Sequence, residues 1–249
     1  MHPRRRANHP VWYGVVRPFT ALVLHLRRRA FLALEPVEPR PDVEHLGSRY
    51  GGWSVATPLV TAESVCYLAG VGEDATFDQA LMERFGCDVH AFDPVPKAAE
   101  YVARELAGQP HFHFHAVGLW SGDRTLTFYA PEFEGWVSHS AVDFRHTPAV
   151  LEAPVRSVPS LMRELGHDHI DVLKLSVEGA EYAVLDSVLR AGLPVSQVLV
   201  EFTPPARLSK VRGAARLLRG AGYQLVAGPV GAGDWKCTFV RRTAPRAPE

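Results

Sequence analysis

From Ser64 onward, short apolar runs alternate with segments whose apolar residues recur at helical spacing, and this alternation is the strongest constraint the chain carries. Strands separated by helix-length segments predict a parallel sheet with crossover helices. The first run, Ser64 to Ala69, reads as a strand. A helix is expected from Thr76, where Thr76 and Gln79 have the spacing of a capping box and Phe77, Ala80, Leu81 and Phe85 form one apolar stripe that Gly86 ends. A second strand over Asp88–Phe92, a helix over Lys97–Leu106 and a third strand over His111–Val117 follow. Thr125–Tyr129 alternates like a strand, and the stretch from there to Thr147 lacks periodicity, as binding loops and lids do. Ile170–Leu175 is apolar enough for a central strand, and its helix turns Ala180, Val184, Leu185 and Val188 toward the sheet. A strand over Gln197–Phe202, a helix over Leu208–Arg219 and the runs Tyr223–Val226 and Lys236–Val240 complete a seven-stranded, mostly parallel α/β sheet with helices on both faces.

The chain has 249 residues, 47% of them apolar, and 27 basic against 27 acidic side chains, which fits one globular domain with terminal extensions. A neutral chain has no field that steers it to nucleic acid, and no nucleic-acid partner is expected. Cys66, Cys87 and Cys237 are odd in number and lack pair spacing, so neither a disulfide framework nor a zinc site is expected, and the setting is read as reducing and cytoplasmic. Residues 1–45 form a basic, partly apolar extension: Arg4, Arg5 and Arg6 precede an apolar stretch from Val11 to Leu34 that Arg17, Pro18 and Arg27–Arg29 interrupt. Its longest uncharged piece, Phe19–Leu26, is too short to span a bilayer. The extension reads either as a peripheral or partner-facing helix or as a basic helix lying on a membrane surface, and Pro36, Pro39 and Pro41 mark a linker after it. Residues 46–242 form the domain, and the tail from Thr243 is expected to be disordered.

Ligands of open parallel sheets sit beyond the carboxyl ends of the strands where the strand order reverses. After the first strand stand Gly70, Val71, Gly72, Glu73 and Asp74; the glycines allow close backbone approach, and free amides at a helix start can receive an anionic group. A tight strand-to-helix turn would look the same. Asp93 closes the second strand, where a carboxylate can accept both ribose hydroxyls of a nucleoside cofactor, or simply cap the turn before Pro94. The Glu73-Asp74 pair would repel a pyrophosphate and suits the cationic ammonium and sulfonium of S-adenosylmethionine, which favours methyl transfer over hydride transfer. An NAD-dependent oxidoreductase would want a third glycine where Ala75 and Thr76 stand.

The segments LKLSVEGAEYAVL, VLVEF, AFDPVP and GVGEDATFDQAL together resemble the FkbM-type methyltransferase family, and LGSRYGGW, Leu46 to Trp53, is similar to the lead-in of one of its branches. The resemblance runs from Leu46 to about Arg241. It implies a Rossmann-like class I methyltransferase fold, S-adenosylmethionine as donor and a hydroxyl acceptor on a sugar, polyketide or similar small molecule. The family usually has an aspartate where this chain has Ser176, directly after the Ile170–Leu175 strand and so facing the cofactor site. A hydroxyl replaces a carboxylate neither as a metal ligand nor as a base, so metal-assisted activation is not expected. A cofactor-binding module without turnover is the alternative. Glu178 is the candidate for orienting or deprotonating the acceptor, unless it merely stabilises a helix start. Lys174 is a further catalytic candidate, or a partner of Glu201 in a buried charge network.

His111, His113 and His115 share one strand face, with Phe112 and Phe114 on the other; an edge strand and no ligand of matching spacing argue against a metal. Trp136, Ser138 and His139 lie in the irregular segment and line an acceptor pocket or pack the loop; His139 is the candidate base among them.

Overall fold

The computed structural model describes residues 18–130, 139–143, 147–203, 207–230 and 235–242. Helix α1 (Pro18–Leu34) and a hairpin of β1 (Val43–Leu46) and β2 (Trp53–Ala56) precede the alternating part. There follow β3 (Val65–Ala69), α2 (Thr76–Phe85), β4 (Asp88–Phe92), α3 (Pro96–Glu105) and β5 (Phe112–His115). After β6 (Gly118–Trp120), β7 (Arg124–Tyr129), β8 (Ala149–Ser157) and α4 (Val158–Leu165) come β9 (Ile170–Leu175), α5 (Glu181–Arg190), β10 (Val195–Glu201), α6 (Leu208–Gly220), β11 (Tyr223–Ala227) and β12 (Lys236–Arg241).

The seven strands expected from the sequence form one sheet in the order β11-β12-β10-β9-β3-β4-β5, in which only β12 runs antiparallel to its neighbours. The order reverses between β3 and β9, and ligands of open α/β sheets bind beyond the carboxyl ends of the strands at such a point. Alternation along β3 divides the core: Cys66 and Leu68 face α2 and α3, while Tyr67 and Ala69 face the layer that holds α4, α5 and α6. Cys66 and Cys87, far apart in sequence, meet with their Sγ atoms 3.9 Å apart in the first layer. In the second sheet, β6-β8-β7, only β7 has a counterpart in the sequence, the alternation over Thr125–Tyr129; β6, β8 and the helix α4 have none.

The part of the extension that is described is built into the domain. Phe31 is fully buried and packs edge-on against Trp235. Glu35, also fully buried, receives Arg212 at 3.2 Å, Arg219 at 2.6 Å and Arg216 at 3.7 Å, three residues spaced to share one side of α6. Removing a buried carboxylate from such a cluster leaves cations facing one another. Because the arginines are partly exposed, water repairs much of that, and Glu35→Gln is expected to cost about 2 kcal/mol in urea unfolding. A cost near zero would show α1 to be dispensable to the domain. The extreme N-terminal arginines and the tail from Thr243 lie outside the described residues.

At the β5 edge the histidines form a cluster. His90 on β4 stacks on His113, places its Nδ1 3.2 Å from His115 Nε2 and meets His167 edge-on, while the hydroxyl of Tyr67 lies 2.8 Å from His167 Nδ1. Asp88 pairs with His111 and His113 at the exposed end. Burial, and then the neighbouring His167, His113 and His115, push His90 down to about 3; His115 and His167 are lowered in the same direction, chiefly by burial. A histidine whose folded value is depressed stays neutral when folded, whereas the unfolded chain takes up its proton below about pH 6.5. Stability is therefore present above that value and declines as pH falls toward the folded value. His90 alone should remove about 1 kcal/mol by pH 5.5. Thermal unfolding at pH 7.5 and 5.5 checks this: the melting temperature should fall, and fall less in His90→Gln. Equal melting temperatures at both values would refute it.

Candidate functional site

The turn after β3 is held from three sides. Gly70 leaves the strand with φ +85°, its N–H donating to Phe92 O, and its backbone lies directly on that of Ser176 at the end of β9. Beneath it, Lys174 Nζ donates to Gly70 O at 2.6 Å. From the β4 side, Asp93 Oδ2 accepts the amides of Val71 and Gly72, each at 3.0 Å, and Oδ1 accepts the amide of Val95 at 3.0 Å. Asp93 is 6% exposed, and burial raises its carboxyl while the bonded amides pull it back down. A carboxylate has about four lone-pair positions. Three are filled, so at most one remains, where the sequence led to the expectation that Asp93 accepts two hydroxyls.

Most of the amides expected to be free are occupied. Besides those on Asp93, Ala75 N donates to Tyr101 Oη and Thr76 N to Asp74 Oδ1. The capping box is also replaced: Ala75 is the N-cap, Thr76 is the first helical residue, and Asp74 closes the turn by accepting both the Thr76 amide and its hydroxyl. A shorter side chain two residues upstream reaches the amide that Gln79 was expected to serve.

Asp74 has a second partner that sequence reasoning missed. Ser48 Oγ donates to its Oδ2 at 2.7 Å, and Ser48 N donates to Thr76 Oγ1 at 2.8 Å, so the lead-in Gly47–Gly52 is tied across the turn. The approach is so close that a Cβ on Gly51 would stand 2.4 Å from Asp74 Cγ. Lys236, on β12 opposite Glu201, clamps the same loop through the carbonyls of Tyr50 and Gly52 and lies 4.9 Å from the centre of the Trp53 ring. Tyr50 stands exposed at the rim. Glu73 is paired with Lys97 at 3.1 Å. The acidic pair is thus not bare: Asp74 fastens the lead-in loop, and Glu73 has a cation beside it.

At the end of β9, Ser176 Oγ donates to Glu201 Oε2 at 2.9 Å, and Ser176 N donates to Ala69 O. Glu178 has φ +46°, the single non-glycine residue with a positive φ among those described. Such strain persists only where the surroundings enforce it and is concentrated at functional positions. Ser140 Oγ donates to the Glu178 carbonyl at 2.5 Å, and Glu181 accepts Gly179 N at 2.7 Å and Thr203 N at 3.2 Å. Helix α5 begins at Glu181, so Glu178 lies before the helix and is not its first-turn glutamate. Glu181 takes that place: it is fully buried, desolvation pushes its carboxyl up to about 7, and it joins the β9 and β10 loops. The second acid of VEGAE was its signal in the sequence.

Lys174 is 4% exposed and lies under the turn, where burial lowers its ammonium and Asp78, Glu201 and Asp93 counter this. Asp78 is buried as well, its Oδ1 without a hydrogen-bond partner, and desolvation raises it to about 6. Lys174 therefore supports the turn from below. His139 is half-buried and adjacent to Ser140, which brings it to the Glu178 loop; Trp136 and Ser138 lie outside the described residues. No group of three or more His, Cys, Asp or Glu side chains among the described residues is arranged so that it could hold a metal ion.

The family model for the methyltransferase FkbM domain matches residues 67–225, from β3 through β11. The chain belongs to the FkbM methyltransferase family. Among curated proteins, this FkbM-family chain is 26% identical over 155 residues to the probable methyltransferase-like protein 24 of Rattus norvegicus, covering 60% of this chain and 34% of the relative. To the Homo sapiens protein of the same name it is 28% identical over 128 residues, covering 49% of this chain and 27% of the relative. The chain thus matches about a third or less of the length of these relatives. Among solved structures, a methyltransferase FkbM from Methylobacillus flagellatus KT aligns with a TM-score of 0.49 at 13% identity, over 74% of this chain and 46% of that one. In the FkbM-family chain the match includes the glycine turn, Asp93 and the VEGAE loop, and stops short of α1 and the Ser48 loop.

Proposed function

We propose that the chain is an S-adenosylmethionine-dependent methyltransferase that methylates a hydroxyl on a small molecule or sugar. The observation that carries this reading is Asp93, which sets the glycine turn with three of its lone pairs and leaves the fourth for a ribose hydroxyl at the crevice. The donor set fits a cationic nucleoside cofactor. Carboxylates of Glu73, Asp93, Glu178 and Glu201 belong to the carboxyl-end loops, and the amides of Val71, Gly72 and Thr76 are already bonded inside the protein. A pyrophosphate would find few donors there, which speaks against a dinucleotide.

Gly70, Val71, Gly72, Glu73 and Ser176 would form the cofactor's surroundings, with Asp93 on its ribose and Asp74 holding the lead-in loop over it. When bound, S-adenosylmethionine supplies the electrophilic methyl group on a sulfonium. The protein's part is to align an acceptor oxygen and take its proton. Glu178, whose strained turn Ser140 ties through the backbone carbonyl, would orient the hydroxyl and accept that proton, and His139 would be the other base at the same loop. Glu201, held by Ser176, supplies a carboxylate beside the end of β9 where this chain has a serine.

Transfer of labelled methyl from S-adenosylmethionine to a panel of hydroxylated sugars and metabolites tests the assignment. Glu178→Gln should lower turnover about a hundredfold while cofactor affinity is kept. A variant as fast as the parent would remove Glu178 from the reaction. Ser176, a hydroxyl at a carboxylate position, favours a second reading, a binding module without turnover; cofactor binding with no acceptor methylated across the panel would select it.

A further inference from the structure

We infer that α1 is a docking surface for an anionic bilayer, set beside the candidate site. One side of the helix buries Leu24 and Phe31 against the domain. The other exposes Leu22 by 52%, Val23 by 36%, Leu26 by 53% and Leu34 by 48%. Of the eight large apolar side chains exposed among the described residues, four stand on α1. A fifth, Val230, 78% exposed, follows Pro229, whose carbonyl accepts Arg28 Nε at 2.6 Å, so a second segment with an exposed apolar side chain adjoins α1. Isolated exposed apolar residues are ordinary, whereas a cluster of them from two segments marks a contact surface.

The charge around the patch selects its occupant. The chain is neutral overall, yet α1 carries Arg27, Arg28 and Arg29 and no acidic residue. Arg216 and Arg219 of the neighbouring α6 are 64% and 44% exposed, and the acid they share, Glu35, is buried. Leucines interleaved with arginines suit the boundary between acyl chains and anionic headgroups, where the apolar side chains enter and the guanidinium groups stay at the surface. No helix among the described residues is long and apolar enough to cross a membrane, so α1 lies on the surface instead.

The fold sets the direction of this surface. Leu32 packs on Gly228 just beyond the end of β11, Arg28 reaches Pro229, and Arg27 stands 5.9 Å from the centre of the Trp235 ring. The Trp235 carbonyl accepts the amide of Phe202, the residue after β10. The amino-terminal half of α1 therefore leaves the sheet at its carboxyl edge, the edge of Gly70, Asp93 and Ser176. A bilayer under α1 faces that edge. The docking does not rest on the methyl-transfer reading; only its consequence, an acceptor met at the membrane surface, does.

Co-flotation of the full chain with vesicles of phosphatidylcholine alone, or with about 30% phosphatidylserine, tests the inference. Binding to the anionic vesicles should be at least about tenfold tighter and should weaken with salt. The double variant Leu22→Ser/Leu26→Ser should lose at least about tenfold of that binding, and Arg29→Glu about fivefold or more. Both should melt at the parent's temperature and keep the parent's affinity for S-adenosylmethionine, since the altered side chains are exposed. No vesicle binding by the parent, equal binding to neutral and anionic vesicles, or binding unchanged in the double variant would overturn the inference. So would a parent that is a dimer through this patch and becomes monomeric in the double variant without ever binding vesicles.

Discussion

Gly70→Ala is expected to destabilise the chain by about 4 kcal/mol or more, enough to leave little folded protein at physiological temperature. Two independent costs add up. A φ of +85° is open to glycine and strained for any residue with a Cβ. A Cβ at this position would also lie 1.9 Å from Ser176 O, and that oxygen belongs to the backbone leaving the central strand β9. Backbone between two central strands cannot move aside without parting β3 from β9, the pair at which the strand order reverses. Urea unfolding or soluble yield measures the loss. Gly86→Ala is the matched comparison: its φ is +70°, but nothing lies within 4 Å of the added Cβ, so only the conformational cost of about 1 kcal/mol should appear. If the two variants were equally stable, the contact between Gly70 and Ser176 would not hold the turn.

Asp93→Ala should lower affinity for S-adenosylmethionine by about ten- to a hundredfold and destabilise the fold by about 3 kcal/mol. The first effect comes from the lost ribose partner. The second comes from the amides of Val71, Gly72 and Val95, which lose a common acceptor at a buried position. Asp93→Asn separates the effects poorly, because its NH2 would face an amide donor. Asp93→Glu restores the charge but pushes the carboxylate into the turn, and should recover less than half of the lost stability. Unchanged cofactor affinity in a folded Asp93→Ala protein would refute the ribose assignment.

Central strands were legible in the sequence because burial on both faces leaves apolar runs; Val198–Val200 is continuous, and Val172–Leu175 is broken only by the buried Lys174. Of the smaller sheet only β7 was, through the alternation over Thr125–Tyr129. β8, Ala149–Ser157, alternates exposed and buried residues only in its second half and includes Pro154, so its pattern is weak. Helix α4 spans eight residues, too few for a clear stripe. Position was legible in the site, but bonding was not. A carboxylate closing β4 could be read from Asp93, whereas its three amide partners depend on how the turn folds beneath it. Thr76 and Gln79 have capping spacing, yet Asp74 competes for the same amide, and spacing alone does not rank them. Glu35, between the apolar stretch and the prolines that mark the linker, had no signal because its arginines lie from 177 to 184 residues further along the chain. Ser48 stood inside a segment with a family resemblance, but its bond to Asp74 crosses 26 residues and has no local signature.

The central claim is that the crevice above Gly70 and Asp93 holds S-adenosylmethionine, and titration calorimetry of the full chain tests it most directly. Heat of binding is predicted for S-adenosylmethionine and for its demethylated product, none for NAD, and a clear loss for both nucleosides in Asp93→Ala. Binding of NAD in preference to the other two, or no binding of either nucleoside by the folded parent, would contradict the account.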